Sequence, residues 1–525
     1  MFGEFSNDWI WVGNICAKRV EYSPNREAVY DYEYNRRFTY SELEERANKL
    51  ANYLAKEMGV KKGDRVAFIS RNRIEMIDAY FATGKLGAIY VPYNIRLSPE
   101  ELKQLINEET PRVLIYEDLF KGLVDGIKPY IPIKNYVAIT EMNKNTSDLN
   151  YEVIMNYADN SPFRCQDLRI EDIHLILHTG GTTGLPKGAM ISHGAMIANA
   201  VSEIITWNIN QNDVAHILLP LFHTGGWNLL TLPILYAGGR IIINRSFDPE
   251  LTLELIEKER PTLVFGAATI FRMIAQLPKF HKTDFSSVRW MMAGAAPTPV
   301  ELMEEFWKKG IRFILGYGLT EGGPTNLSIP AEFMSFDEIR QKAASVGKPF
   351  IFTEARIVNE NGIDVGPNEI GELIFSGPQV FSGYWNRPEE TQKTLKGGWV
   401  YTGDLAKKDE DGFYYIVDRK KDMYISGGEN VYPTEIEKVL YQMPEVRECC
   451  VIGVPDEKWG EVGKIILSVK SGYTLNKKQV IDFFNGKLAR YKIPKYVTFV
   501  EDLPKSSAGK IVKSEIKKIY GGAHD

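Results

Sequence analysis

Apolar positions along this chain recur with two periods. Thr39-x-x-Glu42 has the form of a capping box. Leu43, Ala47, Leu50, Leu54 and Met58 follow at helical spacing, and Gly59 ends the run. Residues 66–69 (Val-Ala-Phe-Ile) form the short unbroken apolar run of a buried strand. The pattern then predicts a helix over 74–86, a strand over 88–91, a helix starting at Ser98-Pro99-Glu100-Glu101 and a strand over 113–116. The alternation continues through 175–177, 240–244, 262–265 and 312–315. Such alternation predicts an α/β architecture with mostly parallel sheets flanked by helices. After about Ser345 the texture changes to short β-like runs punctuated by Gly and Pro, at 354–358, 371–376 and 412–417. These predict a small β-rich, barrel-like subdomain. A compact tail of mixed helix and strand signals follows Arg419, and Arg419-Lys420-Lys421-Asp422 marks the boundary.

Composition narrows the function classes. The 525 residues carry 63 basic and 68 acidic side chains, a net charge of −5, with no basic stripe for nucleic-acid phosphates. Charged residues make up 25% and apolar ones 44%, the balance of a globular protein rather than a disordered or polytopic membrane one. Cys16, Cys165, Cys449 and Cys450 include no C-x-x-C pair, which reads as a reduced, cytoplasmic chain. The opening Met1-Phe2-Gly3-Glu4-Phe5 has no basic start followed by an apolar stretch, so no signal peptide is expected. Residues 214–239 lack Asp, Glu, Lys and Arg over a bilayer-spanning length. Pro220, Pro233, Gly225-Gly226, Gly238-Gly239, His216, His223 and Asn228 interrupt them, so a buried segment lining a pocket is expected, not a membrane span.

The chemistry concentrates in His178-Thr179-Gly180-Gly181-Thr182-Thr183-Gly184-Leu185-Pro186-Lys187-Gly188, directly after a predicted strand. Glycines let backbone N–H groups approach an anion, threonine hydroxyls add donors, and Lys187 adds positive charge. This is a phosphate cradle, but no G-x-x-x-x-G-K-[ST] occurs anywhere, so it is not a Walker A loop.

The segment resembles the phosphate loop of the adenylate-forming superfamily: acyl-CoA synthetases, luciferases and peptide-synthetase adenylation domains. Further motifs resembling that superfamily follow in order: Pro220-Leu221-Phe222-His223, Gly316-Tyr317-Gly318-Leu319-Thr320-Glu321, Gly371-Glu372-Leu373 with Gly383-Tyr384, and Tyr401-Thr402-Gly403-Asp404. Asp418-Arg419-Lys420-Lys421-Asp422, Gly427-Gly428-Glu429 and Pro504-Lys505-Ser506-Ser507-Ala508-Gly509-Lys510 complete the set. The resemblance spans residues 39–513.

It implies a two-step reaction in which a carboxylate attacks the α-phosphate of ATP, and a thiol, usually of coenzyme A, then displaces AMP. Lys510, Glu321, Thr320 and His223 are implied as catalytic, with Mg²⁺ held by Thr182 and Glu321. ATP and AMP are expected on Thr179, Gly180, Gly181, Thr182, Thr183, Gly184, Lys187, Gly294, Ala295, Ala296, Gly316, Tyr317, Gly318, Thr320, Asp404, Arg419 and Lys510. In that scheme Tyr317 stacks on adenine, Asp404 accepts from the ribose hydroxyls, and Lys510 bridges carboxylate and α-phosphate. Lys513, Lys517 and Lys518 are read as solvated lysines of the same tail. His174 and His178, four apart, lack a nearby third ligand, so no zinc site is expected.

The acyl pocket is implied at His223, Trp227, Gly266, Ala267, Gly294 and Gly318, with a core histidine as the other reading of His223. Gly427, Gly428 and Trp459 are placed near coenzyme A, with packing as the equal alternative for Trp459. Residues 1–420 form the expected large domain, its β-rich part at about 345–420. Residues 421–525 form a small mobile α+β domain turning about Lys421. His178 stands where a tyrosine is frequent in the superfamily, and Gly180 where a serine or threonine is frequent. The slot segments carry no Asp or Glu, which argues against amino-acid activation, and apolar walls select by burial; the resemblance implies a medium or long aliphatic acid. An aryl or short branched acid, or loading of a separate carrier protein, is the alternative. Small-molecule partners are expected, and a homodimer stays open.

Overall fold

The computed structural model describes residues 12–140, 147–179, 185–294, 298–505 and 511–522. The helices begin where the sequence places them. The Glu42 N–H donates to Thr39 Oγ1 (3.2 Å) and the Thr39 N–H to Glu42 Oε2 (2.8 Å), which starts the helix Tyr40–Lys56. Ser98 and Glu101 repeat the device for Pro99–Glu109. Leu43, Ala47, Leu50 and Leu54 face the core. The helix Ile74–Leu86 is buried on every side, so its acids need counter-charges: Arg73 pairs with Glu75 and Arg46 with Asp78.

Four sheets organise the described residues. An eight-stranded sheet has a parallel centre in which Arg65–Ile69 lies between Ile89–Pro92 and Val113–Glu117. Ile89–Pro92 pairs in parallel with Ile173–Thr179, which turns back antiparallel along Lys187–Ser192. The short strand Gly383–Tyr384 closes that edge, so a residue pair distant in sequence lies beside the phosphate-loop stem. The nine-stranded sheet runs parallel through Phe313–Tyr317, Trp290–Gly294, Leu263–Ala267, Val214–Ile217, Arg240–Ile243 and Glu27–Asp31, with antiparallel edges. The third sheet is a five-stranded antiparallel one built from residues 354–419. The fourth, also five-stranded, uses only strands between Tyr424 and Phe499, and has its own apolar core around Ile436, Val451 and Ile465.

Residues 214–239 form a strand, a short helical turn, one π-helical turn (Trp227–Thr231) and the helix Leu232–Ala237, largely buried. No helix among the described residues is long and apolar enough to cross a membrane. The tail corrects one expectation. Lys513 is not a solvated lysine: it is mostly buried and pairs with Glu437 at 2.9 Å, because the helix Pro433–Leu440 delivers a carboxylate to it. That pairing, against the cost of burial, raises the Lys513 ammonium above its ordinary range.

Candidate active site

The strands Ile173–Thr179, Leu263–Ala267, Trp290–Gly294 and Phe313–Tyr317 deliver Thr179, Ala267, Gly294 and Tyr317 at their carboxyl ends. In open α/β sheets this is the edge where ligands bind. Gly180, Gly181, Thr182, Thr183, Gly184, Ala295, Ala296 and Lys510 lie outside the described residues.

Two buried carboxylates stand at this edge. Glu321 lies in the 3₁₀ turn Thr320–Gly322 with Thr320 beside it. Its Oε1 accepts the Tyr384 hydroxyl at 2.6 Å. The Tyr384 ring in turn carries the Lys187 ammonium 4.6 Å from its centroid, a cation–π contact. Burial, then the Glu321 charge, pushes the Tyr384 phenol up, so it remains a donor. The turn is tight: a Cβ on Gly318 would lie 1.6 Å from the Pro324 carbonyl oxygen, so only glycine fits. The Asn326 amide closes the turn by donating to the Gly322 carbonyl at 2.7 Å.

Asp404 lies in the strand Trp399–Lys408. One of its oxygens accepts the Tyr317 hydroxyl, and the other pairs with Arg419 Nε at 2.5 Å. Its backbone N–H donates to Thr402 Oγ1 at 3.0 Å. Burial raises the Asp404 carboxyl above its ordinary range, while Arg419 and the Tyr317 hydrogen bond pull it down. A cleft of about 400 Å³ beside this pair is lined by Thr402, Gly403, Arg419, Lys420 and Lys421.

The phosphate-loop stem has a buried brace that sequence reasoning missed. His178 Nε2 lies 2.7 Å from Glu109 Oε1, the other Glu109 oxygen accepts the Tyr93 hydroxyl at 2.6 Å, and the His178 ring stacks on Tyr93. The aromatic position thus becomes an imidazole–carboxylate tie between the strand and the helix Pro99–Glu109. His174, four residues earlier, has a different environment. It is sealed against Tyr80 and His193, and burial holds its imidazole well below the ordinary range. No group of three or more His, Cys, Asp or Glu residues among the described ones forms a metal site.

Around the acyl slot, His223 precedes the turn Thr224–Gly226 with its ring against Phe222. Phe265 links two walls. Cβ atoms placed on Gly294 and Gly225 would lie 3.0 and 3.6 Å from its ring. Gly266 backs onto Ile270 and Phe271, and Ala267 ends the strand. Trp227 is fully buried and stacked on Tyr80 at 4.0 Å. In the C-terminal sheet Trp459 lies over Gly427, whose φ of +60° favours glycine, and is about half exposed. Gly428 follows with φ +89°. The Asp418 carboxylate accepts the Thr434 N–H at 2.8 Å, joining the 414–419 strand to the start of the helix Pro433–Leu440.

Comparison with known proteins matches this arrangement to a family. Residues 16–385 match the AMP-binding enzyme model, and residues 435–510 the AMP-binding enzyme C-terminal domain. The chain is 37% identical over 516 residues to a feruloyl-CoA synthase of Amycolatopsis sp, covering 97% of this chain and 99% of the relative. It is 33% identical to a long-chain-fatty-acid–CoA ligase of Mycobacterium tuberculosis, covering 97% and 98%. The crystal structure of ATP-bound MatB from Rhodopseudomonas palustris superposes with a TM-score of 0.87 at 31% identity, covering 97% and 99%. The chain belongs to the AMP-binding enzyme family, the adenylate-forming superfamily whose motifs its sequence carries.

Proposed function

We propose that this chain is an AMP-forming acyl-CoA synthetase that activates an apolar aryl carboxylic acid with ATP and passes the acyl group to coenzyme A. The observation that carries the reading is the pair of tyrosine-held buried carboxylates: Glu321, in the turn after the strand Phe313–Tyr317, and Asp404, bonded to Tyr317 at that strand's carboxyl end. Attack of a carboxylate on ATP brings anions together, so catalysis rests on positioned positive charge. Lys187, the 180–184 loop and Lys510 supply it to the phosphates, and Lys510 also reaches the attacking carboxylate. Asp404, presented with Arg419, accepts from the ribose hydroxyls, and Tyr317 flanks the adenine with Gly316 and Gly318.

Glu321 suits Mg²⁺: it is a buried hard-oxygen donor with no ion pair among the described residues. With Thr182 it would hold the ion, which when bound supplies charge neutralisation at phosphate oxygens. The second half-reaction uses the C-terminal domain, which turns about Lys421 so that Gly427 and Gly428 face the thiol's path and Trp459 meets coenzyme A.

One geometric fact supports an aryl acid: the Phe265 ring lies between Gly225 and Gly294, whereas Trp227, expected in the acyl pocket, is sealed in the core against Tyr80. The feruloyl-CoA synthase relative points the same way. A medium- or long-chain aliphatic acid is the second reading, favoured by the long-chain ligase relative and by apolar walls without Asp or Glu. Pyrophosphate release with ATP, Mg²⁺ and a panel of arylpropenoic, benzoic and aliphatic acids separates the two. Highest kcat/KM among aryl acids supports the first reading, and a maximum among C8–C18 chains replaces it with the second.

A further inference from the structure

Resting on the adenylation reading, we propose that Tyr384 is a positioning residue that keeps the Lys187 ammonium and the Glu321 carboxylate apart while orienting both. Three observations converge on it. Its hydroxyl is spent on Glu321 Oε1 at 2.6 Å. Its ring face carries the Lys187 ammonium at 4.6 Å. Its own placement is fixed from other directions. The backbone N–H donates to Thr391 Oγ1 at 2.9 Å, Gly383 and Tyr384 pair with Met190 and Ala189, and the ring meets Phe381 edge-on at 5.0 Å.

The electrostatic problem at this edge explains why a tyrosine suits the position. A lysine and a glutamate beside one another in a partly buried site attract strongly, and a direct ion pair would neutralise both. Lys187 would then be lost to phosphate oxygens and Glu321 to a cation. Tyr384 offers each charge a separate surface. The phenolic hydrogen fixes the carboxylate, and the π face holds the ammonium. Neither Lys187 nor Glu321 forms an ion pair among the described residues, although both touch Tyr384, one at the ring face and the other at the hydroxyl. The strand pairing that seats Tyr384 next to the phosphate-loop stem therefore ties the loop's lysine to the turn that bears Glu321.

The test compares Tyr384→Phe, which keeps the ring and drops the hydroxyl, with Tyr384→Leu, which drops both. Binding of Mn²⁺ with a non-hydrolysable ATP analogue, followed by electron paramagnetic resonance of the free ion, reads the carboxylate without turnover. Tyr384→Phe should weaken Mn²⁺ about tenfold and raise the Mg²⁺ concentration needed for half-maximal pyrophosphate release to a similar degree. Affinity for the nucleotide in the absence of metal should change less than threefold. Tyr384→Leu should add a further loss of about tenfold in metal-free nucleotide affinity, because Lys187 loses its seat. Unchanged Mn²⁺ affinity and Mg²⁺ requirement in Tyr384→Phe would overturn the proposal. So would equal losses of melting temperature and activity in both variants with no shift in metal requirement, the signature of a packing residue. If the Leu variant does not fold, the near-isosteric Phe variant alone decides. A wild-type chain that binds Mn²⁺ and nucleotide but releases no pyrophosphate would remove the adenylation reading, while the Phe variant's Mn²⁺ affinity would still test the positioning role.

Discussion

Glu321, in the turn after the strand Phe313–Tyr317, and Asp404, on the strand Trp399–Lys408 of the antiparallel sheet, are both buried acids, and each accepts a hydrogen bond from a tyrosine hydroxyl. They differ in what else they meet. Asp404 is paired with Arg419, so its charge is answered inside the protein. Glu321 has no ion pair among the described residues, and the Lys187 ammonium rests on the ring face of the tyrosine whose hydroxyl holds it. The same anchor thus serves two chemistries. A neutralised carboxylate is suited to neutral partners such as hydroxyl groups. A carboxylate without a cation among the described residues is suited to an external one.

The largest effect that breaks this comparison should come from Glu321→Gln. It keeps shape and the Tyr384 acceptor but removes the charge. Pyrophosphate release at saturating ATP should fall about 10²–10³-fold, the size of losing one preorganised electrostatic contact. Asp404→Asn should act differently, mainly on nucleotide binding. The KM for ATP should rise about 10–100-fold, for about 1.5–3 kcal/mol per hydrogen bond to a charged group, with a smaller change in kcat. Steady-state kinetics of the two variants side by side would show whether their profiles differ; matching profiles would count against separate roles.

The pH dependence of ATP binding sharpens the contrast. Asp404 titrates above an ordinary carboxyl because burial outweighs Arg419 and Tyr317. Between the unfolded and the folded pKa the native state holds more protons, so this group's contribution to stability falls as pH rises through that window. For function the sign is opposite: the acceptor charge is lost as pH falls through the folded value. The KM for ATP should therefore rise on the acid side at a pH above the ordinary carboxyl range. Arg419→Ala should move this limb to higher pH, and Asp404→Asn should abolish it. A limb that ignores both substitutions would detach it from Asp404. The smallest effect concerns stability: Tyr317→Phe should cost about 1.5 kcal/mol, the low end for a hydrogen bond to a charged group, readable as a shift in urea midpoint, because Asp404 keeps Arg419.

What was legible in the chain follows the range of the interactions. The capping box at Thr39 and the helix start at Ser98 are local signals, and both form as read; the structure adds that Ser98 and Glu101 make a second capping box. The strand before the phosphate loop and the buried 214–239 segment also follow from unbroken apolar runs and their interruptions. The Gly318 turn was visible as a motif, though the carbonyl that makes glycine obligatory there was not. The partners of the site residues come from far along the chain. Tyr384 reaches Glu321 across 63 residues and His178 reaches Glu109 across 69, separations that no periodicity reports. Lys513 was misread for the same reason, since its counter-charge Glu437 lies on a different helix.

Pyrophosphate release with ATP, Mg²⁺ and an arylpropenoic acid, with and without coenzyme A, tests aryl-CoA synthesis most directly. Acid-dependent release that turns over only when coenzyme A is present is expected, with AMP and the aryl-CoA thioester formed in equal amounts. Release of pyrophosphate that is independent of any carboxylic acid, or thioester formation without AMP, would contradict it.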